Sequence, residues 1–210
     1  MEIIPVKYDI ASVIHNLVNS ISTRAKEKSL EFIVDVDESL PYMLFGDDVR
    51  ITQVIMNLLT NAVKYTEEGS VTFSIRDGGR DANSIYLKVA VKDTGIGIKS
   101  EDLEKLFESF ARLEEKRNRN IEGTGLGMSI VTKLLAMMES ELKVDSVYGK
   151  GTEFSFELIY CKIFNVFSIH LSTSFSEASL AISNFVIPLH ILMQLPDMNA
   201  PSSKKTVNSA

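Results

Sequence analysis

The sequence is poor in several features that would point to common classes of protein. Its single cysteine, Cys161, excludes an internal disulfide and fits a reducing compartment. Basic residues are in deficit, with 22 lysines and arginines against 28 acids and a net charge of -6. Nucleic-acid proteins usually carry a basic stripe, so we expect no nucleic-acid partner. The N-terminus has no charged-then-apolar signal pattern, and we find no metal-ligand cluster, internal repeat or low-complexity tract.

Two common phosphate-binding signatures are also missing. The chain contains no G-x-x-x-x-G-K-[ST] run, and its Gly123, Gly125 and Gly127 do not match G-x-G-x-x-G, because the third glycine comes one residue early. What the sequence does contain is 210 residues with 45% hydrophobic and 24% charged side chains. This composition is typical of a globular protein, with enough chain for one domain with its own core, or for a domain plus an appendage.

The stretch from Asp48 to Thr66 predicts an amphipathic helix around which the chain is organised. Its apolar residues recur at spacings of three and four, and Gly46 and Asp47 supply a break and an N-cap. Asparagine is unfavourable in a helix interior by roughly 0.5 kcal/mol, so two in register suggest a polar edge that faces a ligand. The alternative is a solvated helix face that carries amides. The polar stripe comprises Arg50, Gln53, Asn57, Asn61 and Lys64.

The remaining apolar patterns predict a two-layer α/β sandwich. Helices are predicted over residues 8–28, 101–110 and 126–139, and strands over residues 30–36, 70–75, 84–92, 142–147 and 153–159. Asp9 can cap the first helix, and residues 37–47 predict a connection. The order indicates an α+β fold, with helices on one face of a mixed, mostly antiparallel sheet whose other face is partly solvated.

Three glycine-rich runs and a pair of phenylalanines add a more specific signal. Asp93 to Ile98 follows a predicted strand, Gly123 to Met128 opens a predicted helix, and Gly149 to Thr152 lies between two strands. With Phe107 to Phe110 and the Asp48 helix, these runs resemble the N, G1, F, G2 and G3 boxes of the catalytic and ATP-binding domain of sensor histidine kinases. That Bergerat-type fold is shared with gyrase, Hsp90 and MutL, and the resemblance implies a domain over residues 1–160.

The resemblance implies a site for ATP and Mg²⁺ on the organising helix. Asn61 would coordinate Mg²⁺ through its side-chain oxygen, a hard ligand, and Asn57 would assist at the metal or its water shell. Lys64 would contact phosphate, Tyr65 would pack against adenine, and Asp93 would accept a hydrogen bond from the adenine amine. Further nucleotide-binding positions implied by the boxes are Gly95, Gly97, Ile98, Phe110, Gly123, Thr124, Gly125, Leu126, Gly127 and Thr152.

The charged stretch over residues 111–122 resembles the mobile lid that covers the ATP phosphates in this family. Arg119 lies four positions before Gly123 and would hold the γ-phosphate, which makes it a catalytic candidate together with Asn57 and Lys64. Lys116 and Arg117 are substitutes for that role. For these two, a solvated charged loop is the open alternative.

The implied reaction is transfer of the ATP γ-phosphoryl group to a histidine on a separate dimerisation helix. That helix would normally precede Met1, so we expect the chain to be a cytoplasmic part of a larger sensor kinase, or a truncated product, with a response regulator downstream. His15, His170 and His190 lack the family's acceptor context. Three alternatives stay open: a gyrase- or Hsp90-type ATPase, for which residue 57 discriminates, an anti-sigma-type serine kinase, and a nucleotide-binding scaffold without catalysis.

Residues 161–210 depart from the family and predict an apolar, then disordered, extension. Between Ile163 and Pro196 the only formally charged residue is Glu177. Length alone would permit a membrane helix, but Asn184 and Pro188 interrupt the apolar run. We therefore expect membrane contact through a missing part of the parent protein rather than through this extension.

Overall fold

The computed structural model describes residues 2–80, 84–103, 106 and 127–163. Its helices and mixed, mostly antiparallel sheet confirm the predicted α+β fold class. In chain order the elements are β1 (Val6–Asp9), α1 (Ile10–Glu27), β2 (Glu31–Val36), β3 (Met43–Gly46), α2 (Asp48–Tyr65), β4 (Ser70–Arg80), β5 (Ser84–Asp93), a 3₁₀ turn (Ser100–Asp102), α3 (Gly127–Met137), β6 (Lys143–Val147) and β7 (Gly151–Ile163).

The sheet places the end of β5 at its centre. The strand order is β1-β3-β7-β5-β4-β2, and β6 pairs beside β7. Among the described strand pairs, β2 and β4 run parallel and the others run antiparallel. Asp93, the last residue of β5, pairs with Val71 on one side and with Thr152 on the other. Its backbone is therefore held by both neighbouring strands.

Both long helices begin at the predicted caps. The Asp9 Oδ1 atom accepts a hydrogen bond from the Ala11 amide at 2.9 Å, and Asp47 Oδ1 accepts from the Arg50 amide at 3.0 Å. These carboxylates satisfy amide groups that have no partner within the helix, which is why aspartate favours this position. In the part of the chain that the structure describes, no helix has the length and apolar character needed to cross a membrane.

The core lies between the helices and one face of the sheet. Val71, Phe73 and Ile75 of β4 are buried, whereas Thr72 and Ser74 between them are half-buried on the opposite face. This period of two is that of a strand with one covered face, as predicted. The buried apolar residues of α2 lie opposite these strands, so its neighbouring polar stripe is left at the border of the core.

Several predicted element boundaries were wrong. Residues 43–46, predicted as part of a connection, form β3, and the first helix begins at Ile10 because Val6–Asp9 pairs with β3. β4 continues to Arg80 and β7 to Ile163, past their predicted ends. Of the helix predicted over residues 101–110, the described part contains the short Ser100–Asp102 turn, and most of the remainder lies outside the described residues.

Candidate functional site

Asn57 and Asn61 lie one turn apart on α2 and face the start of α3. The Asn57 Nδ2 group donates to the Gln53 carbonyl at 2.9 Å, and Asn61 Nδ2 donates to Met128 Sδ at 3.3 Å. A Cβ atom at Gly127 would lie 3.3 Å from Asn57 Oδ1, so glycine lets α3 begin against the asparagine pair. The described residues engage both amide nitrogens and give neither side-chain oxygen a donor. Two acceptor oxygens therefore remain on this edge of α2.

Lys64 and Tyr65 end α2 one turn beyond this pair. The Lys64 Nζ atom lies 4.9 Å from the centroid of the Tyr65 ring, within the range of a cation–π contact. Both side chains are half-buried. A cation and a flat apolar surface thus lie together at the end of the helix that carries Asn57 and Asn61.

Asp93 is a buried carboxylate, with only 6% of its surface exposed. Its Oδ1 atom accepts hydrogen bonds from the amides of Gly95 at 2.9 Å and Thr152 at 3.3 Å. Burial raises the pKa of Asp93 above the usual 3.8, and these two amide hydrogen bonds oppose the rise. The described residues place no donor on Oδ2. This oxygen is therefore available to a ligand that offers a hydrogen-bond donor.

The loop after Asp93 is wedged between α2 and the β6–β7 turn. A Cβ atom at Gly95 would lie 2.4 Å from the Tyr65 carbonyl, which also accepts a hydrogen bond from the Ile96 amide at 3.3 Å. Gly97 has a φ of +66°, and a Cβ atom there would lie 2.2 Å from the Val147 carbonyl. Both glycines are therefore needed for this close approach. The contacts bring the Asp93 loop directly to the end of α2.

Ser146 is a residue of the site that sequence reasoning missed. Its hydroxyl accepts from the Ile98 amide at 2.8 Å and lies 2.8 Å from the Thr152 hydroxyl. It also donates to the Gly151 carbonyl at 3.1 Å. Ser146 thus ties the glycine loop to β7. A lone serine in a strand pattern gave no signal of this role, because its partners are distant in sequence.

The described structure brings one group of predicted residues into a continuous set of contacts and leaves another group undescribed. The first group comprises Asn57, Asn61, Lys64, Tyr65, Asp93, Gly95, Gly97, Ile98, Gly127 and Thr152. The second lies outside the described residues and comprises Phe110, Lys116, Arg117, Arg119, Gly123, Thr124, Gly125 and Leu126.

A separate cavity of about 270 Å³ lies near the opposite end of α2. Its lining includes Phe45 of β3, Ile51 at the start of α2, Met137 of α3 and Leu158 of β7. It contains none of the predicted site residues. The α2 edge and the Asp93 loop therefore form a site of their own.

Comparison with known proteins connects this site to a family. The family model described as "Histidine kinase-, DNA gyrase B-, and HSP90-like ATPase" matches residues 46–160. The chain is 34% identical over 205 residues to hybrid signal transduction histidine kinase B of Dictyostelium discoideum, and 34% identical over 155 residues to sensor histidine kinase RcsC of Escherichia coli K12. These matches cover 98% and 74% of the chain, but only 10% and 16% of the two relatives.

Solved structures show the same fold. Full-length ShkA in complex with AMPPNP matches with a TM-score of 0.64 and 31% identity, over 75% of this chain and 31% of that one. The catalytic domain of histidine kinase ThkA matches with a TM-score of 0.61 and 23% identity, over 74% of this chain and 97% of that one. The second likeness, at its low identity, bears on the fold alone.

Proposed function

The chain belongs to the histidine kinase-, DNA gyrase B- and HSP90-like ATPase family, and from this premise we propose that it is the ATP-binding catalytic part of a sensor histidine kinase. Its curated relatives carry the names of histidine kinases, which favours this class over a gyrase-type ATPase, a serine kinase or a scaffold. In the proposed reaction, the γ-phosphoryl group of ATP passes to a histidine nitrogen on a separate dimerisation domain. A response regulator acts downstream.

The arrangement of Asp93 carries the proposal. Its buried carboxylate has Oδ1 fixed by Gly95 and Thr152 and receives no donor on Oδ2 from the described residues. The exocyclic amine of adenine would donate to that second oxygen. Guanine would instead present a carbonyl there, leaving two acceptors face to face, and a buried acceptor without a donor is costly. Tyr65 would pack against the base.

The acceptor oxygens on α2 support a place for Mg²⁺. Amide oxygens are hard ligands, so Asn61 would hold the ion through Oδ1, and Asn57 would assist at the ion or its water shell. Bound Mg²⁺ would supply neutralisation of charge on the triphosphate. The amide nitrogens of both asparagines already have partners, which favours the orientation that presents oxygen. Lys64 would contact a phosphate from the end of the same helix.

Residues before α3 complete the proposal, although they lie outside the described part of the chain. Arg119 would hold the γ-phosphate, with Lys116 and Arg117 as substitutes, and Phe110 would flank the nucleotide. Backbone amides at a helix start bind phosphate oxygens with help from the helix dipole. Gly127 is the first residue of α3, so the preceding glycine-rich run leads into such a start. That run comprises Gly123, Thr124, Gly125 and Leu126.

Asn57 makes the proposed domain a poor hydrolase. The hydrolytic relatives place a glutamate four residues before the metal-binding asparagine, where this chain has Asn57. A carboxamide is no useful base near neutral pH, and general-base help is typically worth about 10²–10⁴-fold. ATP would therefore persist until an acceptor histidine arrives. A well-placed neutral imidazole can attack phosphorus without a base.

The proposed setting is the cytoplasm, as one domain of a longer kinase. Any membrane attachment would lie outside this domain. Within residues 161–210, Lys162 and Ile163 form the last pairs of β7 with β3. The residues that follow would be an extension that takes no part in the reaction.

Incubation of the purified chain with ATP labelled at the γ-phosphate, with and without separate dimerisation domains, tests the proposal. We expect acid-labile label on a supplied domain, unchanged by His15→Ala in this chain, and none on His15, His170 or His190. Steady ATP turnover at gyrase-like rates by the chain alone would move the assignment to the ATPase class. Label on His15 would overturn the interpretation of α1 as a helix without an acceptor.

A further inference from the structure

We propose that Lys28, which lies directly after α1, is a positioning residue for the nucleotide site; this inference rests on the proposed function. The Lys28 Nζ atom donates to the carbonyl of Val63 at 2.8 Å, of Lys64 at 2.9 Å and of Thr66 at 3.0 Å. These carbonyls end α2. One ammonium group therefore binds the end of the helix that carries Asn61 and Lys64.

The chemistry of a helix end explains why a lysine suits this place. The last carbonyls of an α-helix have no partner within the helix and carry the negative end of its dipole. An ammonium group offers three donors and a positive charge, and here the three donors meet three carbonyls. Thr66 closes the same turn from inside, because its amide and hydroxyl both donate to the Ala62 carbonyl, at 3.1 and 2.7 Å.

The remaining carbonyl of this turn binds the Asp93 loop. The Tyr65 carbonyl accepts from the Ile96 amide at 3.3 Å, and a Cβ atom at Gly95 would lie 2.4 Å from it. The carbonyls of residues 63 to 66 are thus shared between Lys28 and this loop. Because the contact is so close, a shift at the end of α2 displaces the loop as well. Lys28 therefore fixes the phosphate-facing and adenine-facing parts of the site relative to each other.

The effect of Lys28 should fall on binding more than on global stability. The residue is exposed to solvent and belongs to no part of the buried core, so removing its ammonium group leaves no cavity. Its three partners lie 35, 36 and 38 residues away in sequence, in the last turn of α2 and its cap residue. Without the ammonium group, the last turn of α2 would fluctuate, and ATP binding would have to order it.

A matched pair of variants tests this role. Lys28→Met keeps most of the side-chain length and removes the three donors, while Lys26→Met removes the same charge from an exposed position in the last turn of α1. On the full chain, calorimetry with Mg-ATP should show affinity about five- to tenfold weaker in Lys28→Met and unchanged in Lys26→Met. Hydrogen exchange of the Ile96 amide should accelerate in Lys28→Met alone. Lys28→Arg, which keeps cationic donors, should recover most of the affinity.

The outcomes separate this inference from the proposed function. Equal ATP affinity and equal Ile96 exchange in Lys28→Met and Lys26→Met would overturn the positioning role. Lys28→Arg with affinity as low as that of Lys28→Met would also overturn it. If Lys28→Met does not fold, Lys28→Ala against Lys26→Ala carries the same comparison. Failure of the unchanged chain to bind ATP would instead overturn the proposed function, and the exchange of Ile96 would still test the contact between Lys28 and the loop.

Discussion

Asp93→Asn should remove adenine recognition and yet stabilise the folded chain at neutral pH. Asparagine keeps the shape of the side chain and one oxygen. That oxygen can accept from the amides of Gly95 and Thr152, which lie 2.9 and 3.3 Å from Asp93 Oδ1 in the wild-type chain. The second oxygen becomes an amide nitrogen. The adenine amine would then meet a donor where it had met an acceptor.

The contact itself sets the size of the expected loss. A hydrogen bond to a charged group contributes about 1.5–3 kcal/mol, and each tenfold change in affinity corresponds to about 1.4 kcal/mol. Asp93 is buried, so the two opposed donors would also be kept from water. We therefore expect ATP affinity to fall by about 100-fold or more in Asp93→Asn.

The effect on stability follows from the raised pKa of Asp93. Burial holds this pKa above 3.8, so the ionised carboxylate destabilises the folded state at pH 7, and asparagine removes that term. As the pH falls through the raised pKa toward 3.8, the folded state takes up the proton before the unfolded state does, so the destabilisation shrinks; it is gone once the carboxyl is protonated in both states. The variant should therefore have the larger free energy of unfolding at pH 7, and its advantage should shrink in acid.

Calorimetry with ATP and urea unfolding at pH 7 and pH 4 measure the two effects. Asp145→Asn is the matched control, because Asp145 is exposed on β6 and loses the same charge. We expect neither effect in the control. Near wild-type ATP affinity in Asp93→Asn would refute the contact with adenine, and a lower free energy of unfolding at pH 7 would refute the argument from burial.

Three further predictions follow from the same geometry. Asn61→Ala should weaken binding of Mg-ATP far more than binding of metal-free ATP, and equal losses in calorimetry would remove its metal role. Gly97→Ala should lower both stability and ATP affinity, because the new Cβ atom would lie 2.2 Å from the Val147 carbonyl. Gly149→Ala is the control: Gly149 also has a positive φ, but no atom lies within 4 Å of the Cβ position, so this variant should lower stability alone. A chain ending at Ile163 should unfold cooperatively and bind ATP as the full chain does. A chain ending at Tyr160 should keep its ATP affinity but melt at a lower temperature, because β3 loses its pairs with Lys162 and Ile163 of β7.

Long elements with their own periodicity could be predicted from the sequence. The apolar stripe of α2 runs from Ile51 to Val63 at spacings of three and four, and Asp47 stands directly before the helix, so the helix and its cap follow from local chemistry. β1 and β3 could not be predicted, because four residues show no clear period and each strand exists through its partner. β4 continues past Gly78 and Gly79 for the same reason: the register is irregular at these glycines, but Arg80 pairs with Ile85 of β5 beyond them, which a local turn signal could not predict.

The site was predictable only where its residues lie in recognisable runs. Asn61, Asp93 and Gly95 belong to such runs, and the described structure joins them through α2 and the glycine loop. Lys28 and Ser146 gave no signal, because a lysine after a helix and a serine in a strand are ordinary residues. Their importance comes from partners that only the tertiary fold brings near, such as Ile98, which lies 48 residues from Ser146.

Calorimetric titration of the chain with ATP and with ITP, each in the presence of Mg²⁺, tests the central claim most directly. The two nucleotides share their ribose and triphosphate, but ITP carries a carbonyl where adenine has its exocyclic amine. If the Asp93 carboxylate reads that amine, ATP should bind and ITP should bind about 100-fold more weakly or not at all. Equal affinity for ATP and ITP, or no binding of either, would contradict the account.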